Sequence, residues 1–314
     1  MAFIRASEPQ KSEQNFVAII YGAPGTGKTT LALSAPDPIL IDFDNGMHRV
    51  AAWHRKDYIH VDRYEDVLND IQIPEIKAAK TLIIDTGGSF VTYLKDWAFR
   101  TQPTARTKGG EFNSLKGFGF VKNEFARLTS QIKDIMHKNL IYVFHSTEQA
   151  DKDGNPQQRL MCEGQARNTV WNACDFGGYL QVVNGKRMLC LSPQDEYFAK
   201  GCHGITGMIE VPELKMGEPN DFMTRLFDRA RQNIDSENDY WKEEKGRYDE
   251  VMEQVKAIVT GVAGPQSATE AAAALGEIQH VLTSKDEART MLREKTEQIG
   301  LKWSNDVKAY VEAE

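Results

Sequence analysis

Eight consecutive residues, Gly22, Ala23, Pro24, Gly25, Thr26, Gly27, Lys28 and Thr29, match the pattern G-x-x-x-x-G-K-[ST], and Thr30 follows them. These residue types are what an anion cradle needs. Glycines let backbone amides curl around a phosphate, and a following helix aims its N-terminal dipole at the charge. Lys28 would reach the β- and γ-phosphates, and the Thr29 hydroxyl would ligate a divalent ion. The pattern predicts a loop that holds ATP with Mg2+. A purely structural glycine turn would account for neither Lys28 nor Thr29.

Three further apolar runs end in polar groups. Leu82-Ile-Ile-Asp85 closes on a carboxylate, the form expected of the acid that holds the magnesium hydration shell. Ile39-Leu-Ile-Asp42-Phe-Asp44 closes on two acids at alternating positions, which leave one face of a strand together. One of them is expected to orient the attacking water, with Asp44, the farther out, preferred over Asp42. Asp44-Asn45-Gly46 is also a good turn sequence, so a solvated turn stays open. His145 ends Leu140 to Phe144, where a polar side chain could sense the γ-phosphate or simply form a local hydrogen bond.

The elements that must carry these groups follow from periodicity. Phe16 to Tyr21, Ile39 to Phe43, Thr81 to Asp85 and Leu140 to His145 are short apolar runs bounded by turn signals. The tip of the second is expected beside the first, near the γ-phosphate. Between the runs, helical spacing starts at Leu31, recurs at Phe90, Leu94 and Trp97, and again at Val121, Phe125, Leu128, Ile132 and Ile135. Strand alternating with helix predicts an α/β fold with a mainly parallel sheet between helices. A polar stretch runs from Ser146 to Thr169. Later runs at Gly178 to Val183, Arg187 to Leu191 and Met208 to Val211 read as an added hairpin and edge of that sheet. From Asp235 strand signals vanish, and Ser267-x-x-Glu270 and Ser284-x-x-Glu287 mark helix starts. The expected organisation is an N-terminal tail over 1–15, an ATPase domain over 16–234 and a small helical region over 235–314.

The chain has 314 residues, 41% of them hydrophobic and 26% charged, as in an ordinary globular protein. No secretory signal and no run of about 18 apolar residues is present, which predicts a cytoplasmic protein with no membrane partner. Cys162, Cys174, Cys190 and Cys202 have no C-x-x-C pair and read as buried or idle thiols. A net charge of −7 argues against a globally cationic nucleic-acid binder but permits a local basic loop.

Through GAPGTGKTT, ILIDFDNGMHR, TLIIDT and IYVFHSTEQ, over roughly residues 16 to 232, the chain resembles the RecA-like ATPases. It is most similar to phage-encoded P-loop proteins that act as single-strand annealing or recombination factors. The resemblance implies that Asp44 is the catalytic acid, usually a glutamate, and that His145 is the polar residue ending the fourth motif. It also implies two loops facing single-stranded DNA. By position these are Arg100 to Gly117, with Arg100, Arg106, Lys108 and Lys116, and Gln149 to Trp171, with Arg159 and Arg167. Phe112, Phe118 and Trp171 are candidates to stack bases. Lys200 resembles a cation supplied to a neighbouring subunit's site. A ring or filament of identical chains and a single-strand DNA-binding protein are the partners such a family implies.

The leading expectation is a host-cytoplasmic phage ATPase that binds single-stranded DNA and promotes annealing or strand exchange in recombination or replication. The first alternative is a P-loop switch or assembly factor acting on a protein partner without DNA. The second is a small-molecule kinase, against which stands the lack of an evident arginine-rich lid.

Overall fold

The computed structural model describes residues 14–163 and 166–313. The first thirteen residues of the expected tail, and Gly164 and Gln165 of the second expected loop, lie outside them. Among the described residues, β1 (Val17–Gly22), β2 (Pro38–Asp42), β4 (Thr81–Asp85) and the first half of β5 (Asn139–Ala150) are buried on both faces. That is why they read as unbroken apolar runs rather than as alternating ones. With β3 (Tyr58–His60) and β7 (Phe176–Val183) they pair in parallel in the order β3-β2-β4-β5-β1-β7. β8 (Lys186–Cys190) and β9 (Met208–Val211) extend the sheet antiparallel beyond β7, as the late strand runs predict. β6 (Pro156–Leu160) pairs antiparallel with the distal half of β5.

This order corrects one expectation. β2 does not neighbour β1; β4 and β5 stand between them. The parallel register nevertheless puts the strand ends level, with Asp42 opposite Asp85 and Gly22 opposite His145. All four tips therefore open at the same edge of the sheet.

Helices cover the sheet. α1 (Lys28–Ala32) is only five residues long, because Ser34 to Pro38 break the helical pattern that starts at Leu31. α2 (Tyr64–Asp70) and α3 (Pro74–Ala78) lead into β4. α4 (Gly87–Thr101) starts at Thr86, whose hydroxyl accepts from the Ser89 amide, and buries Phe90 and Leu94. α5 (Ser114–Ser130) is capped by Asn113 and buries Val121, Phe125 and Leu128. Ile132 completes that face, but Ile135 is 72% exposed. The chain widens into a π turn over Gln131–Ile135, which rotates Ile135 off the stripe that α-helical spacing predicts.

α6 (Ala166–Ala173) precedes β7, and α7 (Phe222–Thr260) follows β9. The described residues up to Asn233 form one compact unit and those from Ile234 a second. In the second unit, α7 continues into α8 (Pro265–Glu277) and α9 (Ser284–Gln298). Val255, Val262, Leu275 and Leu292 are at its core. α9 starts at Ser284, one residue after its N-cap Thr283, and Thr283 rather than Ser284 bonds Glu287. α8 begins two residues before Ser267, whose hydroxyl instead accepts from the Gly264 amide. This region is not purely helical: β10 (Leu301–Ser304) and β11 (Ala309–Glu312) form a hairpin.

Candidate active site

The loop between β1 and α1 bends through Gly25 and Gly27, both at positive φ where a side chain would be strained. Lys28 is buried, and its ammonium donates to the Ala23 carbonyl at 2.7 Å, across the mouth of the loop. Thr26 donates to the same oxygen. Burial lowers the Lys28 pKa, and the Asp85 charge counteracts part of that. Thr29 points the other way, its hydroxyl donating to Asp85 Oδ2 at 2.6 Å. Two hard oxygens thus lie together beside the phosphate loop, the donor chemistry Mg2+ takes. Asp85 is buried, and desolvation pushes its carboxyl up to about 6; Thr29 and Lys28 pull down while Asp42 and Asp44 push up.

The two acids at the end of β2 separate sharply. Asp42 is 2% exposed and accepts from the amides of Asp44, Gly46 and Met47. It folds the turn and has no oxygen free to work on water. Asp44 is a third exposed, accepts from Ser89 Oγ at 3.0 Å and pairs with Arg49 at 3.0 Å. Of the pair, Asp44 is therefore the one available to water, although two strands, β4 and β5, separate β2 from β1.

His145, at the end of the buried half of β5, is half-buried, and its Nδ1 is sequestered without a hydrogen-bond partner. Desolvation and then Lys28 lower its pKa, so the ring is neutral at pH 7. Lys28, Thr29, Asp44, Asp85 and His145 line one cavity together with Gly25, Gly27, Thr30, Arg49 and Thr86. Gly22, Ala23, Pro24 and Thr26 form the rest of the loop. Ser89, Thr86 and Arg49 are additions that sequence reasoning missed. Thr86-x-x-Ser89 directly after Asp85 was a legible helix-cap signal; nothing in the spacing marked Arg49.

The cationic residues assigned to DNA loops are dispersed. Arg100 lies in α4 and forks onto Glu65 at 2.8 and 3.0 Å while bonding Asp96 at 2.8 Å. Arg106 donates to the Phe99 and Arg100 carbonyls. Lys108 and Lys116 are exposed, the latter in α5. The first segment is thus irregular only between α4 and α5. The second is not one long loop: Ser146 to Leu160 contains the β5–β6 hairpin, and α6 follows. On it, Arg159 stacks 3.5 Å from the Phe198 ring centroid, and its pKa is lowered by burial and then by nearby Arg167. Arg167 donates to Gln149 Oε1 at 2.8 Å. Phe112, Phe118 and Trp171 are not open stacking platforms; all three pack against the core. Lys200 donates to the Cys174 carbonyl of its own chain. Cys162, Cys174 and Cys190 are buried free thiols, and Cys202 is partly buried.

A glycine-rich phosphate loop on the central parallel strand, with Asp85 facing Thr29, defines a P-loop ATPase domain of RecA-like α/β architecture. A family model described as AAA domain matches residues 14–203, more than half of the chain, and the chain belongs to that family. No curated protein matches it. Among solved structures it is similar to the flagellar accessory protein FlaH from Methanocaldococcus jannaschii, at 10% identity over 64% of this chain and 91% of that one, with a TM-score of 0.33. No helix among the described residues is long and apolar enough to cross a membrane.

Proposed function

We propose that this domain hydrolyses ATP with Mg2+ and that the ATP state governs binding of single-stranded DNA, for annealing or strand exchange in phage recombination or replication. The observation that carries the hydrolysis is the convergence of Lys28, Thr29, Asp44, Asp85 and His145 on one cavity. Lys28, now bonded to the Ala23 carbonyl, would turn to the β- and γ-phosphates, and Thr29 and Asp85 would hold the ion and its waters. Bound Mg2+ supplies charge neutralisation on the phosphates. Asp44, steadied by Ser89 and Arg49, accepts a hydrogen bond from the water that attacks in line. Neutral His145 offers the ring edge facing the γ-phosphate, and β5 continues from it directly into the hairpin that carries Arg159. That continuity supports coupling between nucleotide and DNA. A ring or filament of identical chains, working with a single-strand DNA-binding protein, would present the hairpins along one strand.

A second reading, an ATP-controlled switch acting on a protein partner, draws on the distribution of charge. Residues 234–314 hold ten Lys and Arg against seventeen Asp and Glu, so the whole net charge of −7 falls in that region. An acidic surface repels nucleic acid, and Arg100 and Arg106 are already engaged within the chain. Phosphate release measured with and without single-stranded DNA decides between the two. Stimulation by DNA supports the first reading; a response to protein alone, with no DNA binding at low salt in Mg2+ and ATP, replaces it with the second.

A further inference from the structure

Four cations line the phosphate cavity and the crevice that adjoins it, which share Gly27 and Thr30. Three are committed. Lys28 bonds Ala23 in the loop itself, Arg49 pairs with Asp44, and Arg225 pairs with Asp221 at 3.1 Å. The fourth is Arg187, on β8. Its side chain lies along the phosphate loop, Nε being 3.4 Å from where a Cβ on Gly27 would stand. That side chain is half-buried and, among the described residues, forms no ion pair or hydrogen bond. A partly desolvated guanidinium without a counter-ion is costly, and a planar fork of donors is the side chain best matched to phosphate oxygens.

We propose that Arg187 binds the phosphates of the nucleoside triphosphate in its own chain, completing the site without a cation from a neighbouring subunit. The β7–β8 hairpin delivers it: β7 pairs with β1 in parallel, and β8 returns antiparallel beside β7 with Arg187 opposite Val182. The strand that carries the loop and the hairpin that carries the arginine therefore belong to one sheet and need no second chain to align them. Lys200, the residue expected to serve a neighbour, is instead tied to Cys174. The proposal rests on the ATPase reading above and adds where the last positive charge comes from.

The test uses the full-length chain with Mg2+ and ATP. Arg187→Ala is expected to weaken ATP binding roughly 10- to 100-fold, the range for losing a charged hydrogen bond. Arg187→Lys should recover part of the loss, which a role confined to propping the loop would not produce. Equimolar Lys28→Ala and Arg187→Ala chains are then mixed. An arginine acting within its own chain leaves the mixture no more active than its two components, whereas recovery of turnover would show action across subunits and overturn the proposal. Wild-type affinity in a folded Arg187→Ala chain overturns it too. If the alanine chain does not fold, Arg187→Gln and Arg187→Lys replace it: equal affinity of these two rejects the role, and weaker binding by the glutamine supports it. Failure of the ATPase reading looks different, because the wild type would then bind no nucleotide in a Lys28-dependent way.

Discussion

Burial raises the Asp85 carboxyl from its ordinary value of 3.8 to about 6, so at neutral pH the folded protein holds a charge it would rather neutralise. Between those two values the folded state binds more protons than the unfolded one. Stability from this group is therefore complete below about pH 3.8 and is lost as pH rises through about 6. Asp85→Asn should accordingly raise the Tm of the nucleotide-free protein at pH 8, yet remove its dependence on Mg2+ for ATP binding. A variant whose Tm matches the wild type from pH 4 to pH 8 would show that Asp85 is not titrating there. Lys28→Ala should abolish turnover and weaken ATP binding, read by phosphate release and calorimetry; wild-type turnover would remove the loop from the chemistry. Asp44→Asn keeps the size of the side chain but loses the charge that orients water. It should slow hydrolysis by a factor on the order of 10² to 10⁴ with ATP affinity nearly intact. A similar selective loss in Asp42→Asn is not expected, because that carboxylate is consumed by three backbone amides.

At the scale of elements, the site depends on how closely β1 and β7 approach. A Cβ on Gly22 would come within 2.2 Å of the Leu180 carbonyl oxygen, a backbone atom that cannot rotate away. Gly22→Ala should destabilise the domain by about 1–3 kcal/mol, the usual range for overpacking, visible as a lower urea midpoint. An unchanged midpoint would mean that the two strands slide apart freely. The same contact would shift the β7–β8 hairpin, and with it Arg187, relative to the loop. On the opposite side of β1, Phe144 stands over Gly87, where a Cβ would meet its ring at 2.2 Å. Both glycines therefore set distances between the strands and helices whose tips form the cavity.

For the whole molecule the deciding quantity is where the charge lies. Because residues 234–314 account for the full net charge of −7, the ATPase unit is close to neutral, and the single-stranded DNA binding proposed for it requires a local basic patch. Lys108 and Lys116 on one segment and Arg159 and Arg167 on the other are the groups to change together. Replacing these four with alanine should flatten the salt dependence of binding by about 0.7 log unit per lost phosphate contact on a single strand. Fluorescence anisotropy at several salt concentrations measures this, and an unaltered slope would place the DNA elsewhere. Basal ATPase should survive, since none of the four lines the phosphate cavity.

The phosphate loop, the Asp85 strand end and the alternation of strands and helices were all legible in the sequence. Each is a local pattern: eight contiguous residues define the loop, and a buried parallel strand is apolar along its whole length. What the sequence could not determine was order and orientation. Apolar runs show which segments are strands, but not that β4 and β5 come between β1 and β2, because pairing is a choice among distant segments of similar composition. Position alone favours Asp44 over Asp42 without saying what either carboxylate holds. Only the turn that wraps three amides around Asp42 leaves Asp44 open to the cavity. The basic residues gave the same difficulty: Arg100 and Lys200 carry a charge in any fold, and tertiary contacts with Glu65 and the Cys174 carbonyl decide that it is already spoken for. Arg187, far along the chain in an unremarkable hairpin, comes to rest on Gly27 only because β7 pairs with the strand that carries the loop.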